Sequence, residues 1–163
     1  MRTSLKGQDA PQQQEISTLE EIVQRQGVHA ALKYLNSRTP HRYTGIFRFD
    51  GDVLHNELLF DRYDSELLKG GATPMEATYC SLVGRQEAPL EITDSAVDDR
   101  VKGVIDTSVV SYCGVLIQDE AGKPFGTLCH YDMQRCEERT TDLPLLQAAA
   151  AMFYQKLQTG KTK

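Results

Sequence analysis

The sequence predicts an α+β fold with an antiparallel sheet, and three observations carry that reading. Two pairs of apolar, aromatic stretches flank tight-turn signals, at 43–60 around Asp50-Gly51 and at 111–131 around "DEAGK" (119–123), as β-hairpins require. Apolar residues at helical spacing stand at both ends of the chain, in 16–37 and 140–158. The element order, helix, hairpin, helices, strand, helix, hairpin, helix, contains no internal repeat and reads as one domain whose terminal helices pack together on one face of the sheet.

Taken in order, residues 1–14 are polar and Gln-rich and read as a disordered leader. In "ISTLEEIVQRQG", Ser17 and Glu20 can form a capping box, and Ile16, Leu19, Ile22 and Val23 share a face. Gly27 breaks this helix, "VHAALKYLNS" starts a second, and Pro40 stops it. The first hairpin follows, with its register open. "DSELLKGG" (64–71) reads as a short turn of helix ended by glycine. "TPMEATYCSLVG" places Thr73, Pro74 and Glu76 as N-cap, first helical residue and capping-box partner of a helix reaching about Val83. "PLEIT" is a short strand. Asp94 then caps a helix in which Val97, Val101, Val104 and Ile105 fall at helical spacing, with Gly103 as a weak point. The strands of the second hairpin, near 111–118 and 124–131, carry apolar or small residues on both faces, which suits central strands covered on both sides. A last helix over 140–158, capped by Thr140 or Thr141, has Leu146, Ala149, Ala150, Phe153 and Leu157 as its stripe. The domain is expected to span 15–159, with a tail at 160–163.

With 163 residues, 25% charged and 40% hydrophobic, the chain has the composition of a soluble globular domain with one core. A net charge of -5 argues against sequence-independent nucleic-acid binding, which needs a basic surface. No apolar run is long enough to span a bilayer and the N-terminus lacks the apolar centre of a secretory signal, so a cytoplasmic location is expected. There the four cysteines, Cys80, Cys113, Cys129 and Cys136, should be thiols. None forms a CxxC pair, the histidines lack zinc-finger spacing, and neither a metal nor a cofactor is expected. His29, His41 and His55 are scattered and read as exposed residues without a role.

The segments "TYCSLV" (78–83), "PLEITDSAVDDR" (89–100), "SYCGVLIQDEAGKPFGTLCHYD" (111–132) and "TDLPLLQAAA" together resemble the GAF domain family, over roughly residues 17–158. The family pattern is a strand SYxGVPL, an acidic-glycine turn, a strand GTLC and a helix-starting acidic residue. This chain departs from it at Leu116-Ile117, where the family often has proline then leucine. The resemblance implies a five- or six-stranded antiparallel sheet with terminal helices on one face. On the other face, segments within about 62–110 form a ligand pocket. It also implies dimerisation through the terminal helices. The ligand stays open, since the family binds cyclic nucleotides, tetrapyrroles and small metabolites.

Several chemistries follow from the resemblance. Phytochrome-type members hold a linear tetrapyrrole on a Cys-His pair in the segment before the SYxGV strand; Cys129-His130 lies after the turn instead, and 95–110 contains no cysteine. Stand-alone members that reduce free methionine-(R)-sulfoxide use a thiolate and a resolving cysteine. Cys80 and Cys113 are the candidates here, yet the segment before the SYxGV strand lacks the cysteine those enzymes carry, and no positive charge adjoins Cys80 in sequence. The bland readings are Cys129 as a small hydrophobe packed in the sheet and Cys80 as a half-buried helix residue. Arg100 could meet a phosphate or carboxylate, but an ion pair with Asp94, Asp98 or Asp99 is the commoner role. A generic pocket remains, with Tyr79, Cys80, Asp94, Arg100, Tyr112 and Tyr131 as candidate ligand-binding residues. The leading expectation is a sensory or regulatory module that binds an unidentified small molecule and acts through a homodimer or a separate signalling protein, with no nucleic-acid or membrane partner. The alternatives are the reductase and a purely structural dimerisation domain.

Overall fold

In the computed structural model, which describes residues 2–136 and 143–161, the chain opens with two helices, α1 (Arg2–Gln26) and α2 (Val28–Asn36). Gly27 separates them at φ 97°, a backbone conformation that glycine reaches without strain. Helix α1 starts at Arg2, so the backbone is helical through the stretch expected to be a disordered leader. Ser17 therefore lies inside the helix, not at its start. Glutamine and glutamate are good helix formers, and extension from an anchored helix needs no new nucleus. The anchor is the buried pair Leu19 and Val23.

Six strands form one antiparallel sheet: β1 (Tyr43–Asp50), β2 (Val53–Asp61), β3 (Ala72–Pro74), β4 (Leu90–Ile92), β5 (Ser111–Gln118) and β6 (Pro124–Asp132), in the order β3-β2-β1-β6-β5-β4. Asp50 pairs with Val53, so the first hairpin turns on Gly51-Asp52, with Gly51 at φ 59°. In the second hairpin Val115 lies opposite Leu128 and Tyr112 opposite Tyr131. Helix α4 (Leu143–Lys161) closes the chain and runs into the expected tail; its proposed caps Thr140 and Thr141 lie outside the described residues.

Alternation along the strands divides the apolar residues into two layers. On one face Ile46, Val115, Ile117 and Leu128 pack against Leu19, Leu32, Leu35, Ala149 and Phe153 of the three helices. On the other, Leu54, Tyr112 and Cys129 pack under Tyr79, Cys80, Val83 and Val101 of the connecting segments.

Three expected helices differ. Residues 64–71 form a short turn at 65–66 followed by irregular chain, with the Leu59 N–H donating to Leu68 O at 2.7 Å. Thr73 and Pro74 belong to edge strand β3, followed by a 3-10 turn at Met75–Ala77. Helix α3 (Cys80–Gln86) begins later, where the Thr78 hydroxyl accepts the Ser81 N–H at 3.2 Å. Residues 95–105 form a chain of turns that buries Val101 (2% exposed) but leaves Val97 and Val104 at 72% and 65%. No described helix is long and apolar enough to cross a membrane.

Candidate functional site

On the sheet face away from the helices lies a cavity of about 290 Å³. Its floor is Phe47 of β1, Leu54 of β2, Tyr112 of β5, and Cys129 and Tyr131 of β6; its roof is residues 77–80 and 107–109. The Tyr79 hydroxyl donates to Val109 O at 2.9 Å and ties the two halves of the roof together. The Tyr79 and Tyr112 rings meet edge to face at 5.5 Å, and Tyr131 lies between Tyr43, stacked at 4.8 Å, and Phe47, tilted at 6.0 Å.

Gly114 shapes this floor. A Cβ there would collide with the ring and hydroxyl of Tyr112, so only the bare backbone lets that ring lie along β5. From this position the Tyr112 hydroxyl reaches Cys80 Sγ at 3.3 Å, and the Thr127 hydroxyl donates to the same sulfur at 3.0 Å. Gly114→Ala should therefore displace Tyr112 and open the cavity, seen as a rise in Cys80 labelling by a neutral thiol reagent in the folded protein. Unchanged labelling with unchanged stability would show that the ring does not depend on the glycine.

Burial alone would push the Cys80 thiol up, but hydrogen bonds from Cys129, Thr127 and Tyr112 outweigh it and bring Cys80 below the ordinary thiol value. The same burial and the neighbouring Cys80 raise Cys129 and Tyr112 well above theirs. The cluster thus keeps its protons on Cys129 and Tyr112 and leaves Cys80 as the most acidic thiol. No cation is among the causes, so the lack of an adjoining positive charge in the sequence does not leave Cys80 at the ordinary thiol value.

A second, wider groove of about 670 Å³ runs between Phe49, Met75, Ser81, Arg85 and Pro124. It is larger, lined in part by the exposed Asp52, Pro74 and Glu76, and it holds none of the thiols or tyrosines. The aromatic-walled cavity, with its few polar groups, is the better small-molecule site.

No family model matches the chain by sequence, and no curated protein does. Solved structures do. The GAF domain of an Acinetobacter phosphoenolpyruvate-protein phosphotransferase superposes with a TM-score of 0.70 at 13% identity, over 93% of this chain and 95% of that one. The fold is that of a GAF domain. Two further similar structures are free methionine-R-sulfoxide reductases. That from Neisseria meningitidis, in complex with its substrate, has a TM-score of 0.67 at 13% identity, over 90% of this chain and 88% of that one. The type II enzyme from Thermoplasma acidophilum has a TM-score of 0.62 at 17% identity, over 86% and 96%.

Within this GAF fold, four of the six candidate ligand-binding residues, Tyr79, Cys80, Tyr112 and Tyr131, line one cavity. Asp94 and Arg100 do not. Asp94 accepts the Ala96 N–H at 3.0 Å, and Arg100 pairs with Asp98 at 2.6 Å while donating to Glu91 O at 2.7 Å. The ion pair is thus the role Arg100 takes. Cys113, expected across the pocket from Cys80, faces the helical layer, because its neighbour Tyr112 takes the cavity side of β5. Burial, then the charge of Glu91 and the neighbouring Cys136, push its thiol up to about 12, which leaves it inert. The same alternation splits Cys129 from His130: the thiol lines the cavity, while the imidazole, 6% exposed, sits behind the sheet with Nδ1 at 2.7 Å from the Thr44 hydroxyl. The two cannot hold one ligand together.

The histidines are also less exposed than expected. His41 is 3% exposed and its ring stacks on His130 at 5.9 Å. His29 is half-buried, its Nε2 at 2.9 Å from Leu59 O and 3.2 Å from Leu67 O. Among the described residues no cluster of His, Cys, Asp or Glu could hold a metal ion.

Proposed function

We propose that the chain is a GAF-type sensory module that binds a small molecule in the Tyr79–Cys80–Tyr112–Tyr131 cavity. The carrying observation is the aromatic-walled space that remains between sheet and roof. Strands β5 and β6 floor that cavity while their alternate residues Cys113, Val115 and Leu128 support the helices. A ligand that shifts these strands therefore bears on α1 and α4, whose shared layer includes the half-buried Ile22 and Met152. Output through a homodimer formed by those helices, or through a separate signalling protein, completes the reading. Native mass spectrometry of freshly expressed protein tests it. The expected result is a dimer that carries an adduct of defined mass, lost when Ala77→Trp fills the cavity mouth. A monomer at high concentration removes the dimer part, and an adduct indifferent to Ala77→Trp removes the site.

A second reading, reduction of free methionine-(R)-sulfoxide, is favoured by the Cys80–Cys129 contact and by the likeness to two such reductases. In it the Cys80 thiolate attacks the sulfoxide sulfur, and the oxygen passes to Cys80 as a sulfenic acid while methionine leaves. Cys129 then condenses with Cys80 to a disulfide, releasing water, and an external dithiol reduces it. Turnover with a dithiol, abolished by Cys80→Ser and by Cys129→Ser but retained in Cys113→Ser, would establish this reading. Absence of turnover removes it.

A further inference from the structure

The cavity has apolar walls and a few hydroxyls, and among the described residues no Asp, Glu, Lys, Arg or His lines it. We infer that its ligand is a compact, uncharged, ring-bearing molecule. This inference rests on the sensor reading and names the ligand class for that site.

Three features of the cavity carry the inference. Charge comes first. An ion held between these walls would give up part of its hydration without meeting a counter-charge, a cost that apolar contacts offset poorly. Arg100, the cation expected in the pocket, is paired with Asp98 and does not line it. A phosphate, a carboxylate or an amino-acid zwitterion therefore meets no counter-charge in this lining, so this ligand class and the reductase reading exclude each other. Size comes second. At about 290 Å³ the cavity lies at the low end of the roughly 300–1,000 Å³ of small-molecule sites. A single or fused ring fits; an open-chain tetrapyrrole with its propionates does not.

Shape and polarity come third. Tyr79, Tyr112, Tyr131 and Phe47 present ring edges and faces from both sides, the arrangement that receives a flat ring in offset or edge-to-face contact. The polar handles are neutral: the hydroxyls of Thr73, Thr107, Ser108 and Tyr131. They suit an amide, carbonyl or ring nitrogen. Tyr112 is not available, because its hydroxyl is spent on Cys80.

Matched pairs that differ in charge test the inference. Nicotinamide against nicotinate and benzamide against benzoate, with indole, cyclic AMP and methionine sulfoxide alongside, are offered at millimolar concentration to the full chain. Saturation-transfer NMR reads contact, and the thermal midpoint reads affinity. The expected result is signal for the uncharged members, with a rise in Tm of roughly 3 °C or more near saturation. Both effects should be lost in Ala77→Trp, and Tyr131→Phe should weaken binding of the two amides several-fold more than that of indole. A charged member that binds as well as its neutral twin, with the same loss in Ala77→Trp, overturns the ligand class and leaves the sensor reading standing. Neutral probes that bind Ala77→Trp as well as the native chain overturn the site. Absence of contact by every probe counts against the sensor reading as well.

Discussion

Gly126→Ala is expected to lower the unfolding free energy by about 3 kcal/mol or more, at or beyond the upper end of the range for overpacking. Gly126 sits on β6 opposite Arg48 of β1 and Ile117 of β5, in the middle of the sheet. A Cβ at this position would run into the carbonyl group of Phe47. That obstacle is backbone, which cannot rotate away as a side chain end would, so β1 and β6 must separate locally. Separation breaks ladder hydrogen bonds and disturbs both layers at once, because Ile46 and Leu128 anchor the helical face while Phe47 floors the cavity. Urea denaturation checks this: the midpoint should fall sharply with the slope unchanged. A loss below about 0.5 kcal/mol, the range of an ordinary surface substitution, would show that the strands relax without strain.

The part of the fold that was readable in the sequence depends on short-range signals. Asp50-Gly51 and the Asp119–Lys123 turn stand between runs of opposite-facing apolar residues, so both hairpins follow from local chemistry. The stripe Leu146, Ala149, Ala150 and Phe153 is buried as its spacing requires. Residues 95–105 misled because four apolar residues at helical spacing outvoted the aspartates between them. In the structure those side chains serve the backbone in the way a helix would: Asp98 accepts the Arg100 N–H and Asp94 that of Ala96, each at 3.0 Å. Asp competes with helix formation by this route, and here it wins.

The candidate site divides in the same way. Tyr79, Cys80, Tyr112 and Tyr131 could be proposed from their residue types and from strand alternation. Cys129 as the partner of Cys80 could not. Their contact joins α3 in the roof to β6 in the floor, and nothing near either residue in the chain announces it. Cys113 was misplaced because proximity along the chain to Tyr112 says nothing about sharing its face. The rule that neighbours in a strand point apart was available and decides the matter. The buried histidines were hidden for a related reason: His41 follows a helix and His130 ends a strand, and only the β1–β6 pairing brings their rings together.

Those two rings make stability depend on pH. Burial holds His41 down to about 4, with Arg62 adding to the effect and Asp132 opposing it. Burial, then His41 and Arg62, bring His130 down to about 3. Both values lie below the 6.5 of an unperturbed imidazole, so the folded chain keeps both rings neutral where the unfolded chain takes up protons. The two histidines therefore leave stability unchanged above about pH 6.5. They lower it as pH falls from there, by about 1.4 kcal/mol per pH unit for each proton that only the unfolded chain binds. The loss from His41 levels off near pH 4 and that from His130 near pH 3. Asp61 and Asp98, held below the ordinary carboxylate value chiefly by hydrogen bonds from Arg42 and Arg100, add their own loss only at lower pH, where unfolded carboxylates protonate. The His130 ring is fixed in place, with Nδ1 at 2.7 Å from the Thr44 hydroxyl, which also accepts from Asn36 Nδ2 at 3.0 Å. Unfolding free energies measured by urea between pH 7.5 and 4.5 should thus decline steadily in the native chain. His130→Gln should flatten that slope by about one proton, whatever it does to stability at pH 7.5. An equal slope in both proteins would mean that His130 is already charged in the folded state.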